Sequence, residues 1–418
     1  MSEQLLSILV LSAVFLISTV LPVHMGALAL VATFVLGFFI FGSAEYADTI
    51  YGFFPGELFI ILVGVTYLFA IAKNNGTVDW LVSAAVRASG HRLALIPWVM
   101  FTVAAALTAI GGVVPAVVAI IAPIGMAFAR RYSINPVLMG LFIVNGCTAG
   151  GFSPLSIFGT ITNSVVETNG LPGSPGFLWL ASIVANALLS VVVFFLFGGS
   201  KLLGIATRDE PLGSARPVTL DRDRSLTLLG LSALVIGALA FDIEIGVMAI
   251  VIGVALSIVA PAGAKGAVGQ IAWETVLLIC GIVTFVGLMQ EIDTPGWLGA
   301  NVAELAVPLV AALLICYIGG IVSAFASTTG ILGALIPLAV PFLLGSDAVG
   351  AIGLVTALAL SSSIVDASPF STSGALVVAN STPEERDGVF RTLMIWGFSM
   401  VALVPLVTWL VLVVPGWL

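Results

Sequence analysis

Long apolar segments separated by short polar ones follow one another along almost the whole chain. A membrane-spanning helix needs about 17 to 25 mostly apolar residues, and with that length as a guide the sequence contains ten candidate spans. They are residues 5–21, 25–41, 58–72, 135–166, 177–198, 225–241, 245–260, 275–289, 350–378 and 391–414. The pattern predicts an all-α polytopic membrane protein with five spans in each half.

Two further apolar stretches, residues 93–130 and 307–344, carry small or polar residues near their centres, GGVVP at 111–115 and STTG at 327–330. Each is either two spans joined by a tight turn or a re-entrant hairpin that enters and leaves on one side. Irregular backbone at such a tip is tolerated only where protein or a water-filled cavity surrounds it. Shorter, more polar stretches at 78–92 and 296–305 are predicted to be amphipathic helices near the membrane interface.

The two longest spans contain the same interrupted motif. Ser-Pro-x-Ser-x-x-Gly occurs at residues 153–159 and again at 368–374. Proline lacks a backbone N–H and clashes with the preceding helical turn, while small polar residues can bind the carbonyls that it frees. Both spans are therefore predicted to be broken helices. Helix ends at mid-membrane depth suit a bound ion or small anion, and matching breaks in two halves indicate the binding site of a secondary transporter.

The two halves of the chain also resemble each other in sequence. Residues 57–81 and 274–298 align without a gap and pair Glu57 with Glu274 and Gly64 with Gly281. Because five spans per half is an odd number, the second copy must enter the membrane in the opposite orientation, which is the inverted-repeat plan of many transporters. The predicted first repeat is 1–200, with scaffold helices at 1–92, a hairpin at 93–130, a broken helix at 135–166 and a helix at 177–198. A cytoplasmic linker follows at 201–224. The predicted second repeat is 225–418, with scaffold helices at 225–305, a hairpin at 307–344, a broken helix at 350–378 and a helix at 391–414.

Composition and charge agree with a membrane location. Hydrophobic residues make up 60% of the chain and charged residues 8%, far below the roughly 25% charged residues of a soluble domain. When the spans are followed from the N-terminus, all 13 Lys and Arg fall on one face of the membrane. Basic loops are typically cytoplasmic, so both termini are predicted on the periplasmic or extracellular side. Nothing in the composition indicates nucleic-acid binding.

Asp366 is the one acidic residue that falls deep inside a predicted span. A carboxylate inside the membrane is costly and indicates function. It either coordinates Na⁺ together with hydroxyl and carbonyl oxygens, which hard cations prefer, or carries a proton. The structural alternative is that it caps the helix break by accepting backbone N–H groups. The serines and threonines have an alternative role too, since small residues let membrane helices pack closely.

No Lys or Arg is predicted inside the membrane, so a bound anion must be stabilised by helix N-termini, backbone N–H groups, hydroxyls and bound cations.

The order of GCTAGGFSPLS at 146–156, STTG at 327–330 and VDASPFSTSG at 365–374 resembles the bacterial MatC-type malonate or dicarboxylate carriers. The overall plan is similar to the divalent anion:sodium symporters of the ion-transporter superfamily. One departure is the first tip, GVVP at 112–115, which lacks the Ser, Asn and Thr that this family uses there.

The resemblance implies two inverted repeats and an elevator movement of the hairpins and broken helices against a scaffold. It also implies a homodimer in the bacterial inner membrane. The coupling ion it implies is Na⁺, with H⁺ as the alternative, and it implies no organic cofactor. Candidate substrate-binding residues are Ser153, Pro154, Ser327, Thr328, Thr329, Ser368, Pro369, Val114 and Pro115. Candidate cation ligands are Asp366, Ser323, Ala326, Thr328, Ala367, Asn145, Thr148 and Gly112.

The sequence thus predicts a cation-coupled importer of a small dicarboxylate such as malonate, malate or succinate. The alternative on the same scaffold is an ion exchanger or an anion-efflux permease. An intramembrane enzyme is disfavoured because both histidines lie at span edges, which leaves no nucleophile and base pair within the bilayer. A passive channel is disfavoured because rings of charged side chains are absent from the predicted spans.

Overall fold

The computed structural model describes residues 2–42, 46–88, 92–203, 219–241, 243–294, 297, 308–325, 328, 331–333, 335–336, 339 and 349–416. These residues are mostly helical and contain no β-strand. The all-α class predicted from the sequence is therefore confirmed. The predicted amphipathic helix at 296–305 and most of the second hairpin beyond residue 325 lie outside the described residues.

Ten α-helices lie among the described residues of the first half. They are α1 (Glu3–Val20), α2 (Met25–Phe41), α3 (Tyr46–Gly52), α4 (Gly56–Asn74), α5 (Thr77–Ala88), α6 (Leu95–Ala109), α7 (Val114–Arg131), α8 (Pro136–Gly150), α9 (Ile157–Thr168) and α10 (Pro175–Leu196). The start of α8 shows why the sequence folds this way, because the Asn135 side chain accepts a hydrogen bond from the Val137 N–H and Pro136 occupies the first helical position.

In the second half the described helices are α11 (Arg222–Phe241), α12 (Ile245–Val259), α13 (Pro261–Ala264), α14 (Trp273–Glu291), α15 (Pro308–Phe325), α16 (Ala351–Ser363), α17 (Thr372–Ala379) and α18 (Pro383–Thr408). A 3₁₀ turn, Ile364–Ala367, follows α16, and α18 continues into a π-helical turn, Trp409–Val413. The helix α18 begins eight residues before the predicted span.

Six helical stretches among the described residues are long and apolar enough to cross a membrane. They are Gly56–Asn74, Val114–Arg131, Pro175–Leu196, Trp273–Glu291, Ala351–Ala379 and Pro383–Val413. Further apolar helices are shorter, among them α2, α6, α8, α12 and most of α15. The stretch Ala351–Ala379 is the second broken helix taken as a whole, and it is the most thoroughly buried of the six.

The helices pack as two groups. In the α4/α14 group, which contains α1, α2, α4, α11, α12 and α14, the main contacts are α4 with α12 and α2 with α14. The α8/α16 group contains α6–α10 and α15–α18. Its main contacts are those of α6 and α10 with α8, and that of α15 with α16. Between the groups, α4 contacts α9, and α5 contacts both α6 and α11.

Two close helix crossings hold the α4/α14 group together, and each uses a pair of glycines. A Cβ atom at Gly26 of α2 would overlap the backbone of α14 at Leu277, and one at Gly281 of α14 would overlap Gly26. In the same way, Gly246 of α12 lies on the α4 backbone at Ile61, and a Cβ atom at Gly64 would meet the carbonyl oxygen of Gly246. Small residues let membrane helices approach closely. The glycines that the sequence alignment pairs thus occupy matching places in the two crossings.

The aligned helices α4 and α14 run in opposite directions. The backbone N–H of Ala272, just before α14, donates to the hydroxyl of Thr66 in the second half of α4 (3.4 Å). At the other end of α14, Gln290 and Glu291 line a cavity together with Glu57 and Leu58 at the start of α4. Opposite directions are what the odd number of spans in each half predicts.

The first hairpin turns back halfway along α4. Gly111 has a φ of +106°, which favours glycine, and a Cβ atom there would overlap the side chain of Val65. Since Val65 lies at the middle of α4, the tip lies at about the mid-depth of a membrane-spanning helix. This depth favours the re-entrant hairpin over two complete spans.

Candidate substrate and cation site

The first break, between α8 and α9, is built by the Ser-Pro motif. The Ser156 side chain accepts from the Gly159 N–H (3.3 Å) and lies within hydrogen-bonding distance of two freed carbonyls, those of Ser153 (2.7 Å) and Gly151. The Ser153 hydroxyl accepts from the Leu155 N–H (3.2 Å). The second serine of the motif therefore caps the helix that follows and binds the end of the helix before it.

The second break repeats these contacts. The Ser371 side chain accepts from the Gly374 N–H (3.3 Å) and lies 2.7 Å from the Ser368 carbonyl oxygen and 2.5 Å from that of Asp366. The Ser368 hydroxyl accepts from the Phe370 N–H (3.3 Å). The two motifs thus give the same local backbone geometry in the two halves.

The glycine that ends each motif is required by a close backbone approach. A Cβ atom at Gly374 would overlap the carbonyl oxygen of Ser368, and one at Gly159 would overlap that of Ser153. We expect Gly374→Ala to destabilise the protein by about 1–3 kcal/mol or more, because the break must open to admit the methyl group. The measurement is the thermal unfolding midpoint in detergent.

The control for that change is Gly388→Ala in α18, where no atom lies within 4 Å of the added Cβ. Alanine is favoured over glycine inside a helix by about 1 kcal/mol, so this variant should unfold at the same temperature as the parent or slightly higher. Equal midpoints for Gly374→Ala and the parent would show that the motif glycine is not needed.

The second break packs on α8, the helix that ends at the first break, in the interior of the α8/α16 group. The 3₁₀ turn Ile364–Ala367 packs on α8, and α17 packs on α7 and α8. A Cβ atom at Gly140 of α8 would overlap the side chain of Val377 in α17. On the other side, Gly397 of α18 leaves room for Ser368, whose Cβ would be 2.9 Å from a Cβ at that glycine.

Asp366 lies at this junction and is only 6% exposed. Its Oδ2 atom accepts a hydrogen bond from the Ser373 hydroxyl (2.8 Å), which reaches back across the break. The described residues of the two breaks, 145–159 and 361–374, include no Lys, Arg or His. The carboxylate is therefore held by a neutral donor, and an ion with a positive charge would be stabilised beside it.

Further oxygen atoms surround the end of α16. The hydroxyls of Ser323 and Thr328 lie 2.8 Å apart, and the Thr328 hydroxyl is 3.5 Å from the Ser362 carbonyl oxygen. The Ser362 hydroxyl is fully buried and has no hydrogen-bond partner among the described residues. We call Ser323, Thr328, Ser362, Asp366 and Ser373 the second-break cluster. Hydroxyl, carbonyl and carboxylate oxygens are the ligands that hard cations prefer.

Both hairpins reach their breaks. A Cβ atom at Gly111, in the first tip, would be 3.5 Å from the Leu155 carbonyl oxygen in the first break. Thr328, in the second tip, contacts Ser362 just before the second break. Of the other second-tip candidates, Ala326, Ser327 and Thr329 lie outside the described residues. Val114 begins α7 directly after the first tip, with Pro115 next to it.

The remaining cation candidates of the first half point elsewhere. The Asn145 amide donates to the Ser190 hydroxyl of α10 (3.2 Å). The Thr148 hydroxyl donates to the Val144 carbonyl (3.1 Å), and its carbonyl accepts from Ser182 of α10 (3.1 Å). Gly112 closes the first tip, since its N–H donates to the Leu107 carbonyl (2.9 Å). Asn145 and Thr148 thus form part of the interface between α8 and α10.

Sequence reasoning did not single out Ser362 and Ser373. The sequence feature that could have indicated these two residues is the density of hydroxyl residues around the break, SSS at 361–363 and STS at 371–373. Such runs do not show which hydroxyl caps a helix and which is free. In the structure Ser371 caps, Ser373 binds Asp366, and Ser361 pairs with Thr408 of α18 at 2.9 Å.

Residues 1–151 match the family described as the N-terminus of the dicarboxylate carrier protein MatC. The resemblance to MatC-type carriers is therefore confirmed. No curated protein matches the chain in sequence. Two solved structures are similar in fold. One is the YdaH transporter of Alcanivorax borkumensis, with a TM-score of 0.61, 14% identity, and coverage of 88% of this chain and 89% of that one.

The other is MtrF of Neisseria gonorrhoeae, from a class of antimetabolite efflux pumps, with a TM-score of 0.54 and 13% identity over 88% of this chain and 83% of that one. At these identities the likeness concerns the fold. The family and both structures are carriers, transporters or efflux pumps and not enzymes. The chain is a multi-pass membrane transporter.

Proposed function

We propose that this transporter takes up a small C3–C4 dicarboxylate such as malonate, malate or succinate, coupled to Na⁺ or H⁺. The observation that carries the proposal is the second Ser-Pro break, packed on α8, where the buried Asp366 carboxylate and the unpartnered Ser362 hydroxyl lie four residues apart in a segment without a basic residue. The cation binds first at the second-break cluster and offsets the charge of Asp366. The dianion is then held by the hydroxyls and N–H groups at the helix ends.

The test is uptake of radiolabelled malonate and succinate into proteoliposomes, with Na⁺, K⁺ and pH gradients imposed one at a time. We expect accumulation above equilibrium with an inward Na⁺ or H⁺ gradient and none with K⁺. Flux that is independent of every cation gradient would reject the coupled mechanism. Empty liposomes and the Asp366→Asn protein are the controls.

Ser153 and Ser368 are proposed to contact the substrate from the two breaks. We expect Ser153→Ala and Ser368→Ala each to raise KM for the dicarboxylate by about 10-fold, since a hydrogen bond to a charged group contributes about 1.5–3 kcal/mol. The measurement is KM at saturating cation concentration. Thr102→Val is the control, because that hydroxyl donates to its own helix at Trp98 (2.9 Å). Normal affinity in both serine variants would place the substrate elsewhere.

The proposed mechanism is alternating access, in which the α8/α16 group moves as an elevator against the α4/α14 group. Its support is the division of the helices into two groups that contact each other through few helices. Two inverted repeats are part of the same proposal, supported by the paired glycine crossings and by the opposite directions of α4 and α14. The homodimer in the bacterial inner membrane stays a prediction, to be checked by light scattering in detergent.

A cavity of about 480 Å³ lies between the two groups at the end of α14. It is lined by Glu57 at the start of α4, Gln290 and Glu291 at the end of α14, and Thr168 and Asn169 at the end of α9. The charges of the loops predict that this end of the molecule faces the outer side. In the elevator mechanism the walls of this cavity slide past each other.

The second candidate function is efflux or exchange of an anion on the same scaffold. The observation that favours it is the similarity of the fold to MtrF, from a class of efflux pumps. The two functions are distinguished in inside-out vesicles: an efflux pump accumulates substrate there in response to a cation gradient of the same sense as the cell membrane maintains, whereas an importer releases it.

A further inference from the structure

We infer that this transporter keeps one membrane-embedded cation site, in its second half, and that the equivalent place in the first half is filled by apolar packing, so that a single monovalent cation couples each transport cycle. This inference rests on the proposed function. It concerns the number of cation sites, which neither the family match nor the similar folds address.

The two halves can be compared position by position because their breaks have the same geometry. Pairing Ser153 with Ser368 also pairs the residues that precede α8 and α16, Asn135 and Gly350. In sequence the same offset pairs Ala105 of α6 with Gly320 of α15. Each lies on the broken helix that follows, Ala105 against Gly150 of α8 and Gly320 against Ser361 of α16, which is one helical turn before Val365, the counterpart of Gly150.

In this register every oxygen-bearing side chain of the second-break cluster has a counterpart. Ser323 corresponds to Thr108, Thr328 to Val113, Ser362 to Cys147, Asp366 to Gly151, and Ser373 to Phe158. Four of the five counterparts offer no side-chain oxygen. The acid, which gives the site its charge, is replaced by a glycine.

The one hydroxyl among these five counterparts is already used. Thr108 donates to the carbonyls of its own helix at Ala104 (3.0 Å) and Ala105 (3.2 Å). The Gly151 carbonyl is bound by Ser156. Cys147 is fully buried, and its soft sulfur is a poor ligand for a hard cation. None of the five counterparts therefore offers a free side-chain oxygen.

Phe158 stands at the position in the first half that Ser373 has in the second. It is 4% exposed, and its ring packs on that of Phe152 with the centroids 5.6 Å apart. The two nearby polar residues, Asn145 and Thr148, bind α10 and their own helix. The matched positions thus differ: the second break has an acid and the unpartnered hydroxyl of Ser362, and the first has Gly151 and Cys147. The unpartnered buried oxygens of the described first half, those of Thr162 and Asn186, belong to α9 and α10 and have no counterpart in the second-break cluster.

A single site has a consequence for the charge that moves in each cycle. One monovalent cation offsets Asp366 in the loaded carrier, and the empty carrier returns with the carboxylate alone. Uptake of a dianion with one cation then moves one net negative charge inward, so an inside-negative potential of 100 mV opposes it by about 2.3 kcal/mol. A singly charged substrate moves without net charge.

The experiment counts cations on the purified protein, with ²²Na⁺ as probe in one arm and proton titration in the other. We expect one ion per chain in one of the two arms and none in Asp366→Asn. Two or more ions per chain, or none in either arm, would overturn the inference. Because no substrate is needed, an incorrect dicarboxylate assignment would leave this count unchanged, which separates failure of the inference from failure of the proposed function.

A matched pair of variants tests the asymmetry itself. Ser323→Ala should weaken cation binding at least 10-fold, while Thr108→Val, its counterpart in the first half, should leave it unchanged. Equal losses in the two variants would show that both halves bind cations. In proteoliposomes the reversal potential of succinate flux gives a second count, with one cation per dianion expected and two contradicting the single site.

Discussion

Replacing Asp366 by Asn is expected to abolish cation-driven accumulation of the dicarboxylate while the protein remains folded. The carboxylate is 6% exposed and accepts a hydrogen bond from a neutral donor, Ser373, at 2.8 Å. Asparagine has nearly the same shape and can keep that hydrogen bond, but it cannot offset the charge of a cation. Losing one partner of a buried charge pair costs about 3–5 kcal/mol, so cation affinity should fall by about 100-fold or more.

Three measurements separate this loss from misfolding. They are the elution profile in detergent, the unfolding midpoint, and counterflow exchange of substrate at high cation concentration. The control is Asp79→Asn on the exposed face of α5, which should retain coupled uptake. If Asp366→Asn kept the cation dependence of the parent, Asp366 would be a capping residue and the cation site would lie elsewhere.

The helices and their breaks could be predicted closely from the sequence. Lipid requires long apolar segments, and Ser-Pro-x-Ser-x-x-Gly specifies a break through local chemistry: proline removes a donor, the second serine caps, and the glycine admits a carbonyl. Each of these acts within seven residues. For this reason the helix breaks at 153–159 and 368–374 could be predicted without knowledge of the surrounding packing.

Helical turns that lie outside the lipid, and features set by contacts between residues distant in sequence, could not be predicted in the same way. The helix α18 begins at Pro383, and its first turn contains Glu384 and Glu385. Hydropathy reports burial in lipid and not helicity, so this charged turn lies outside the predicted span. The short helix α3, Tyr46–Gly52, is missing from the prediction for the same reason.

The direction in which a polar side chain of a buried helix points could not be predicted from the sequence either. Asn145 is near the first break in sequence, which made it a candidate ligand, but successive residues of a helix point in different directions. In the structure its amide binds Ser190 of α10. The choice between a re-entrant hairpin and two spans depended likewise on a tertiary contact, that of Gly111 with Val65.

A bridge between the two helix groups makes the proposed elevator movement testable. The Gln290 amide at the end of α14 donates to the Asn169 side chain at the end of α9, at 2.6 Å, across the cavity between the groups. If the groups slide past each other, this bond must break in every cycle. Joining Asn169→Cys to Gln290→Cys by an oxidant or a short bifunctional thiol reagent is therefore expected to stop transport, and a reversible disulfide should release it on reduction.

The control cross-link lies within the α4/α14 group. Ser7 of α1 and Thr294, just beyond α14, have their hydroxyls 3.0 Å apart, and both belong to the group that is proposed to stay still. The Ser7→Cys and Thr294→Cys pair should cross-link as readily and leave uptake unchanged. The native cysteines, Cys147, Cys280 and Cys316, are buried and so should not compete for the reagent. Full transport through the cross-linked Asn169 and Gln290 positions would exclude movement between these two helix ends.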